Sequence, residues 1–326
     1  MKPNLFIKRV SKTASTIALL SGVLNFTAGA ADVTEVTGQG NNDWNASAPW
    51  GALPTGGNNY ITTTAAGSGQ GTLWGVSGIA GRIRVNNANS TFSGGSLTVS
   101  AGTEVLLKGE VNNSSVYESA NWIMNGGMIR WGANGVTGGA TNVVQGTLNV
   151  AANSYVTQGR LPSTGQSWLD LATTITGPGG LTLLSGSQSD YASSATGLTF
   201  QITGDLSGYD GMLTLGNGTL TGEILELDPS STSMSSATLN LASHDATTTV
   251  QFDEAVTLGG FTIGGSAVAP GTYTPAQLNA LGDGPDFTGT GEVTVVPEPA
   301  SMVLFGAGLA GLLAVYRKAG TRKTML

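Results

Sequence analysis

From Asp32 to Val296 the apolar residues do not recur at a helical period. Short runs alternate apolar and polar positions instead, separated by turns rich in Gly, Asn and Ser. Gly81–Val85, Gly95–Val99, Glu104–Leu107, Trp122–Met124, Met128–Trp131 and Gly146–Val150 follow this pattern. So do Leu169–Leu171, Gly180–Leu184, Leu198–Ile202, Gly211–Leu215, Ile224–Leu227, Ala237–Leu241 and Thr249–Phe252. Each reads as a strand with one apolar face. One stretch, Thr274–Leu281, is suited to a helix, with Thr274 as its cap and Pro275 in the first helical position.

Many short strands with Gly or Asn at the corners predict an all-β fold. A parallel β-helix or solenoid fits best, with Leu, Val and Ile pointing inward and Thr, Ser and Asn outward. A β-sandwich is the alternative, because turns at this spacing suit it too. Leu97, Ile129, Leu148 and Leu183 share a Gly-small-apolar frame at uneven spacings, so a degenerate repeat is expected.

The two ends break this pattern. Residues 1–30 hold a basic stretch, an apolar region through Leu19-Leu20 to Phe26, and small residues at Ala28 and Ala30. That is the layout of a secretory signal peptide, whose helix signal peptidase would remove after Ala30. At the other end, residues 300–316 are 17 uncharged, mostly apolar residues followed by Arg317 and Lys318. The length is the shortest that spans a bilayer, and the basic stop places the C-terminus in the cytoplasm. The expected division is therefore signal peptide 1–30, passenger 31–296 and membrane-directed tail 297–326.

Pro297-Glu298-Pro299, the apolar segment and the basic end together resemble the PEP-CTERM sorting signal of Gram-negative bacteria. The resemblance implies processing by an exosortase, a membrane protease that acts near Pro297, Glu298 and Pro299. Two prolines around one residue hold the backbone extended and remove two N–H donors, which suits a segment presented to a protease. Within the passenger, Gly179, Gly180, Leu181, Leu183 and Tyr191 resemble the autotransporter-associated β-strand repeat in diverged form. Residues 261–295 are similar to the closing segment of the same passengers, with a hairpin around Ala269-Pro270-Gly271 and a final strand.

Charge sharpens the picture. Between Asp32 and Glu298 lie all 20 acidic residues and five basic ones, a net charge of −15. Such a surface repels phosphate backbones, so no nucleic-acid partner is expected. The chain has no cysteine, which rules out disulfides, thiolate chemistry and Cys-ligated zinc.

Candidate chemistry is sparse. His244-Asp245 pairs a base with a carboxylate, but neighbours on a strand face opposite ways. No nucleophile elbow appears. Acidic residues with metal-ligand spacing are absent, so no metal and no cofactor are expected. Thr62-Thr63-Thr64 and Thr247-Thr248-Thr249 are contiguous rather than one per coil, which does not make a flat threonine array. Of the six Trp, most are expected in the core or at corners. Arg82, Arg84, Arg130 and Arg160 would form a stripe if the coils stack them.

The expected function is a secreted, exosortase-processed structural or adhesive protein of the cell surface or extracellular matrix, without catalysis. Extracellular polysaccharide is its expected outside partner. Before processing, the C-terminal helix would tether it to the inner membrane. The alternative is a carbohydrate-binding or polysaccharide-degrading β-helix protein, which an arginine–carboxylate cluster in an open groove would favour.

Overall fold

The structure is a computed structural model. It describes residues 30–37, 43–73, 76–108, 114–132, 140–160, 167–185, 198–216, 224–228, 233–242, 248–282 and 284–296. The segments expected to form the signal helix (1–29) and the membrane helix (300–316), together with His244 and Trp74, lie outside the described residues.

All thirteen alternating runs fall on strands, and the strands build a solenoid with two walls. The first sheet runs in space through Ala31–Thr34, Asn58–Ile61, Ser96–Ser100, Ser115–Asn125, Ala140–Ala152 and Ser167–Gly177. It continues through Leu198–Ile202, Ile224–Leu227 and Thr249–Phe252 to Asp286–Thr288. The second runs from Ser68–Leu73 through Val76–Val85, Thr103–Leu107, Met128–Gly132, Ser154–Arg160, Leu181–Ser185, Met212–Leu215, Ser233–Leu241 and Val256–Ile263. Val293–Val295 and then Gly271–Tyr273 close it. The chain alternates between walls, so strands adjacent in one sheet belong to successive coils. Their pairing is parallel along the body of both sheets, which excludes the sandwich, an antiparallel architecture.

Parallel stacking turns the alternation into columns. Ile83, Val105, Ile129, Val156, Leu183, Leu215, Leu241 and Ile263 sit in register along the second sheet and all point into the core. Leu97, Trp122, Leu148 and Ile175 form the matching column of the first. The four residues in the Gly-small-apolar frame therefore belong to two columns on opposite walls. Their uneven spacing comes from counting across the walls. Within a wall the interval is 22 to 32 residues, and loop length accounts for the variation.

Close stacking limits the corners. Gly146, with φ of 97°, lies so near the previous coil that a Cβ would come within 2.1 Å of the Ala120 carbonyl oxygen. Only glycine fits there.

Both ends of the solenoid are plugged. At the N-terminal end Trp44 and Trp50 pack with Tyr60, Phe92 and Trp122, at ring separations of 5.0 to 6.2 Å. Each of the three indole N–H groups finds an acceptor: the Ser90 hydroxyl for Trp44, the Trp44 carbonyl for Trp50 and the Gln145 carbonyl for Trp122. At the C-terminal end the helix Pro275–Asn279 forms as the sequence predicts. The Thr274 hydroxyl accepts from the Gln277 N–H, and the Gln277 side chain accepts from the Thr274 N–H, a reciprocal capping box.

The hairpin expected at Ala269-Pro270-Gly271 lies elsewhere. It turns at Gly264-Gly265, whose φ of 58° and 78° is the backbone a tight hairpin requires. Gly271–Tyr273 instead pairs antiparallel with the final strand. The helix seals the last strand of the first sheet through Asn279. Its carboxamide donates to the Phe287 carbonyl at 2.9 Å and accepts from the Phe287 N–H at 2.8 Å. One side chain thus occupies the place of a neighbouring strand, and the exposed edge is satisfied.

Candidate functional site

The described residues begin and end at the inner borders of the two chain ends. Ala30 is exposed, and the first strand begins at the very next residue. Ala28 lies outside the described residues, as do Pro297, Glu298, Pro299, Arg317 and Lys318. The last backbone bond of the solenoid runs from the Val296 N–H to the Leu258 carbonyl at 2.9 Å. Pro297 follows at once and has no N–H, so the ladder cannot extend through it. The triplet is therefore attached directly to the capped end of the body.

The register aligns Arg84 and Arg130 across Leu106 and sets Arg82 opposite Glu104, while the side chain of Arg160 lies outside those described. Arg82, Arg84, Arg130 and Arg160 fall on three strands of the second sheet, with Thr103–Leu107 between the first two. On the outer side of that wall the Glu104 carboxylate sits between two guanidinium groups. It accepts from Arg82 Nε, from Arg130 Nε at 2.6 Å and from Arg130 Nη2 at 3.0 Å. Glu104 is wholly buried, and Arg82 and Arg130 are nearly so. Next to the triad, Ile79 and Met128 form a small apolar cluster with Val76 and Tyr155. A carboxylate that contacts both arginines and is shut from solvent is a packing element, so Arg82, Glu104 and Arg130 do not make an open anion site.

A second buried acid lies at the first strand's end. Glu35 is 3% exposed, its Oε2 accepts from the Thr63 N–H at 3.1 Å, and its Oε1 has no hydrogen-bond partner among the described residues. Burial pushes its carboxyl up to about 7, and the Thr63 bond offsets this only in part.

The Gly179-Gly180-Leu181 segment is pinned by a tyrosine that the sequence did not single out. Tyr191 lies outside the described residues, while Tyr209 is buried and bridges two coils. Its hydroxyl donates to the Gly179 carbonyl at 2.9 Å and accepts from the Leu181 N–H at 3.1 Å. Burial raises its pKa.

The threonine clusters are structural where they are described. Thr62 is buried, with its hydroxyl 2.5 Å from that of Thr103, and Thr63 caps a short 3-10 turn. Thr248 is buried and Thr249 opens a strand. Among the described residues no group of three or more His, Asp or Glu side chains is arranged to hold a metal ion. No described helix is long and apolar enough to cross a membrane.

The outer face of the first sheet carries the most chemically distinctive surface. Asp170, Gln201, Glu226 and Gln251 are in register on four successive strands. Carboxyl and carboxamide alternate rung by rung. Asp228 and Asp253 flank this line, and burial and the neighbouring carboxylates raise the Glu226 pKa. Asp170 is raised too, chiefly by burial, against two hydrogen bonds with Thr203. Trp168 stands two residues before Asp170 on the same face, 37% exposed, and Tyr117 is 44% exposed two strands away. Trp44, Trp50, Trp122 and Trp131 are core residues, as expected, and Trp168 departs from them.

A family model of the PEP-CTERM protein-sorting motif matches residues 295–318. No curated protein and no solved structure matches the chain. The match begins at the final strand's last residue and runs through Lys318, so it spans the Pro-Glu-Pro triplet, the apolar segment and the first two basic residues. The chain is thus an exported β-solenoid protein with a PEP-CTERM protein-sorting motif, which implies membrane-anchored sorting in a Gram-negative bacterium and processing by exosortase, a membrane protease.

Proposed function

We propose that the mature protein is a non-catalytic structural or adhesive component of the cell surface or extracellular matrix. Signal peptidase removes residues 1–30, and the 300–316 helix holds the folded passenger at the inner membrane until exosortase acts near Pro297-Glu298-Pro299. The single observation that carries the reading is the sorting motif joined without a linker to a capped solenoid. A rigid body with both ends plugged keeps its edges from pairing at random while it waits at the membrane. The resemblance to autotransporter-associated repeats agrees with this role, and the solenoid supports it. Adhesion on such a wall is passive, the sum of many weak polar contacts from outward Thr, Ser, Asn and Gln side chains.

The mass of the protein recovered from cells and from medium tests the processing. The expected species lacks both the first 30 residues and the tail beyond the triplet, and a surviving tail would make the helix a permanent anchor. Incubation with polysaccharides tests the absence of catalysis. New chain ends that accumulate with time would overturn it.

A further inference from the structure

We propose that the outer face of the first sheet around Trp168 binds a neutral, hydroxyl-rich polysaccharide. The inference rests on the adhesive reading above and gives it a place on the molecule. Three features converge there. First, Trp168 and Tyr117 put aromatic rings on a wall whose other outward residues are mostly small or polar. Trp168 keeps 37% of its surface open to solvent, and the C–H face of a pyranose ring packs on such an indole and displaces water. Second, Asp170, Gln201, Glu226 and Gln251 form a line with one planar polar group per strand. At about 4.8 Å between strands the line is roughly 14 Å long, enough to follow more than one sugar unit. Each carboxylate accepts hydrogen bonds, and each carboxamide both donates and accepts, which matches hydroxyls that do both. Both oxygens of the nearly buried Asp170 accept from Thr203, and Gln251 Nε2 donates to Asp253 at 2.7 Å. Among the described residues no side-chain hydrogen bond engages Gln201 or Glu226, so these two central members have polar edges to offer a ligand.

Third, charge selects the class of polymer. The body, residues 31–296, carries −14, and Asp228 and Asp253 lie beside the line. Uronate- or sulfate-bearing chains are repelled, and a neutral glycan is not. The arginines that would attract acidic sugars are on the other wall, and two of them are consumed by Glu104.

The test is co-sedimentation of the full chain, in detergent, with insoluble cellulose, β-1,3-glucan and starch, with calcium alginate beads as the anionic control. The chain should pellet with at least one neutral polymer and not with alginate. Trp168→Ala should weaken that binding at least tenfold, and Gln201→Ala with Gln251→Ala comparably, with unchanged thermal unfolding. Met212→Ala, an exposed apolar change on the other wall, should leave binding as it was. Equal binding by Trp168→Ala would overturn this site while leaving the adhesive reading standing. A preference for alginate, or binding lost on adding EDTA, would overturn the neutral-sugar assignment in favour of an anionic polymer or a cation bridge. No retention on any polymer, together with no retention on whole cells, would remove the adhesive reading as well.

Discussion

Glu35 offers a pH-dependent stability that can be worked out from its surroundings. Its carboxyl titrates near 7 in the folded protein, against 4.5 as the ordinary value, because burial disfavours the charge. A raised carboxyl pKa means that the folded state holds the proton more tightly than the unfolded chain. Stability from this group is therefore full below about 4.5 and is lost as pH rises through 7. A shift of about 2.5 units at roughly 1.36 kcal/mol each amounts to about 3 kcal/mol. No charged neighbour contributes to the shift, so the effect belongs to burial and the Thr63 contact. Replacing Glu35 with Gln keeps the shape and an acceptor for the Thr63 N–H but removes the titration. Urea unfolding at pH 5 and pH 8.5 would measure it in both proteins, and the difference between them isolates Glu35 from Asp170 and Glu226. Because part of the effect is already spent at pH 5, wild type should lose about 2.5 kcal/mol more than Glu35→Gln over that range. Hydrogen exchange at residues 31–36 should show the same contrast locally, because the first strand pairs on one side with Asn58–Ile61. Equal pH dependence in the two proteins would refute the reasoning.

The ends and the buried ions yield further expectations. Asn279→Ala removes both bonds to the Phe287 backbone; a loss of roughly 2–4 kcal/mol and concentration-dependent association on size-exclusion chromatography should follow as the strand edge opens. A monomeric, undiminished variant would show that the helix alone closes the end. Glu104→Gln removes the carboxylate charge that both buried guanidinium groups contact and should cost roughly 3–5 kcal/mol in chemical denaturation. Replacing Arg82, Glu104 and Arg130 together with Met, Leu and Met should recover most of that loss, since an apolar trio avoids the desolvation penalty.

Strand positions were legible in the sequence because period-two alternation is local: each run carries its own apolar face. The helix at Pro275–Asn279 was legible for the same reason, its Thr cap, Pro and Gln lying within four residues. The chemistry of the outer wall was written there as well, as Asp170, Gln201, Glu226 and Gln251, each set between two large apolar residues on its strand. The signal was missed because intervals of 31, 25 and 25 residues place these side chains in one line only when the register is known. The arginine stripe shows the converse. Arg82, Arg84 and Arg130 do lie close together on one wall, but burial around Glu104 reversed their meaning, and burial depends on what packs above a strand.

By itself the sequence determined the strands, the C-terminal helix, the strongly acidic body and the address at residues 295–318. These follow from short-range pattern, composition and a contiguous motif. Tertiary structure alone decided that the strands pair in parallel, that Asn279 stands in for a missing strand, that Glu35 is shut from water and that Trp168 is not. Each of those depends on residues from different coils meeting in space, and the loops that set their meeting vary in length without regular repeat.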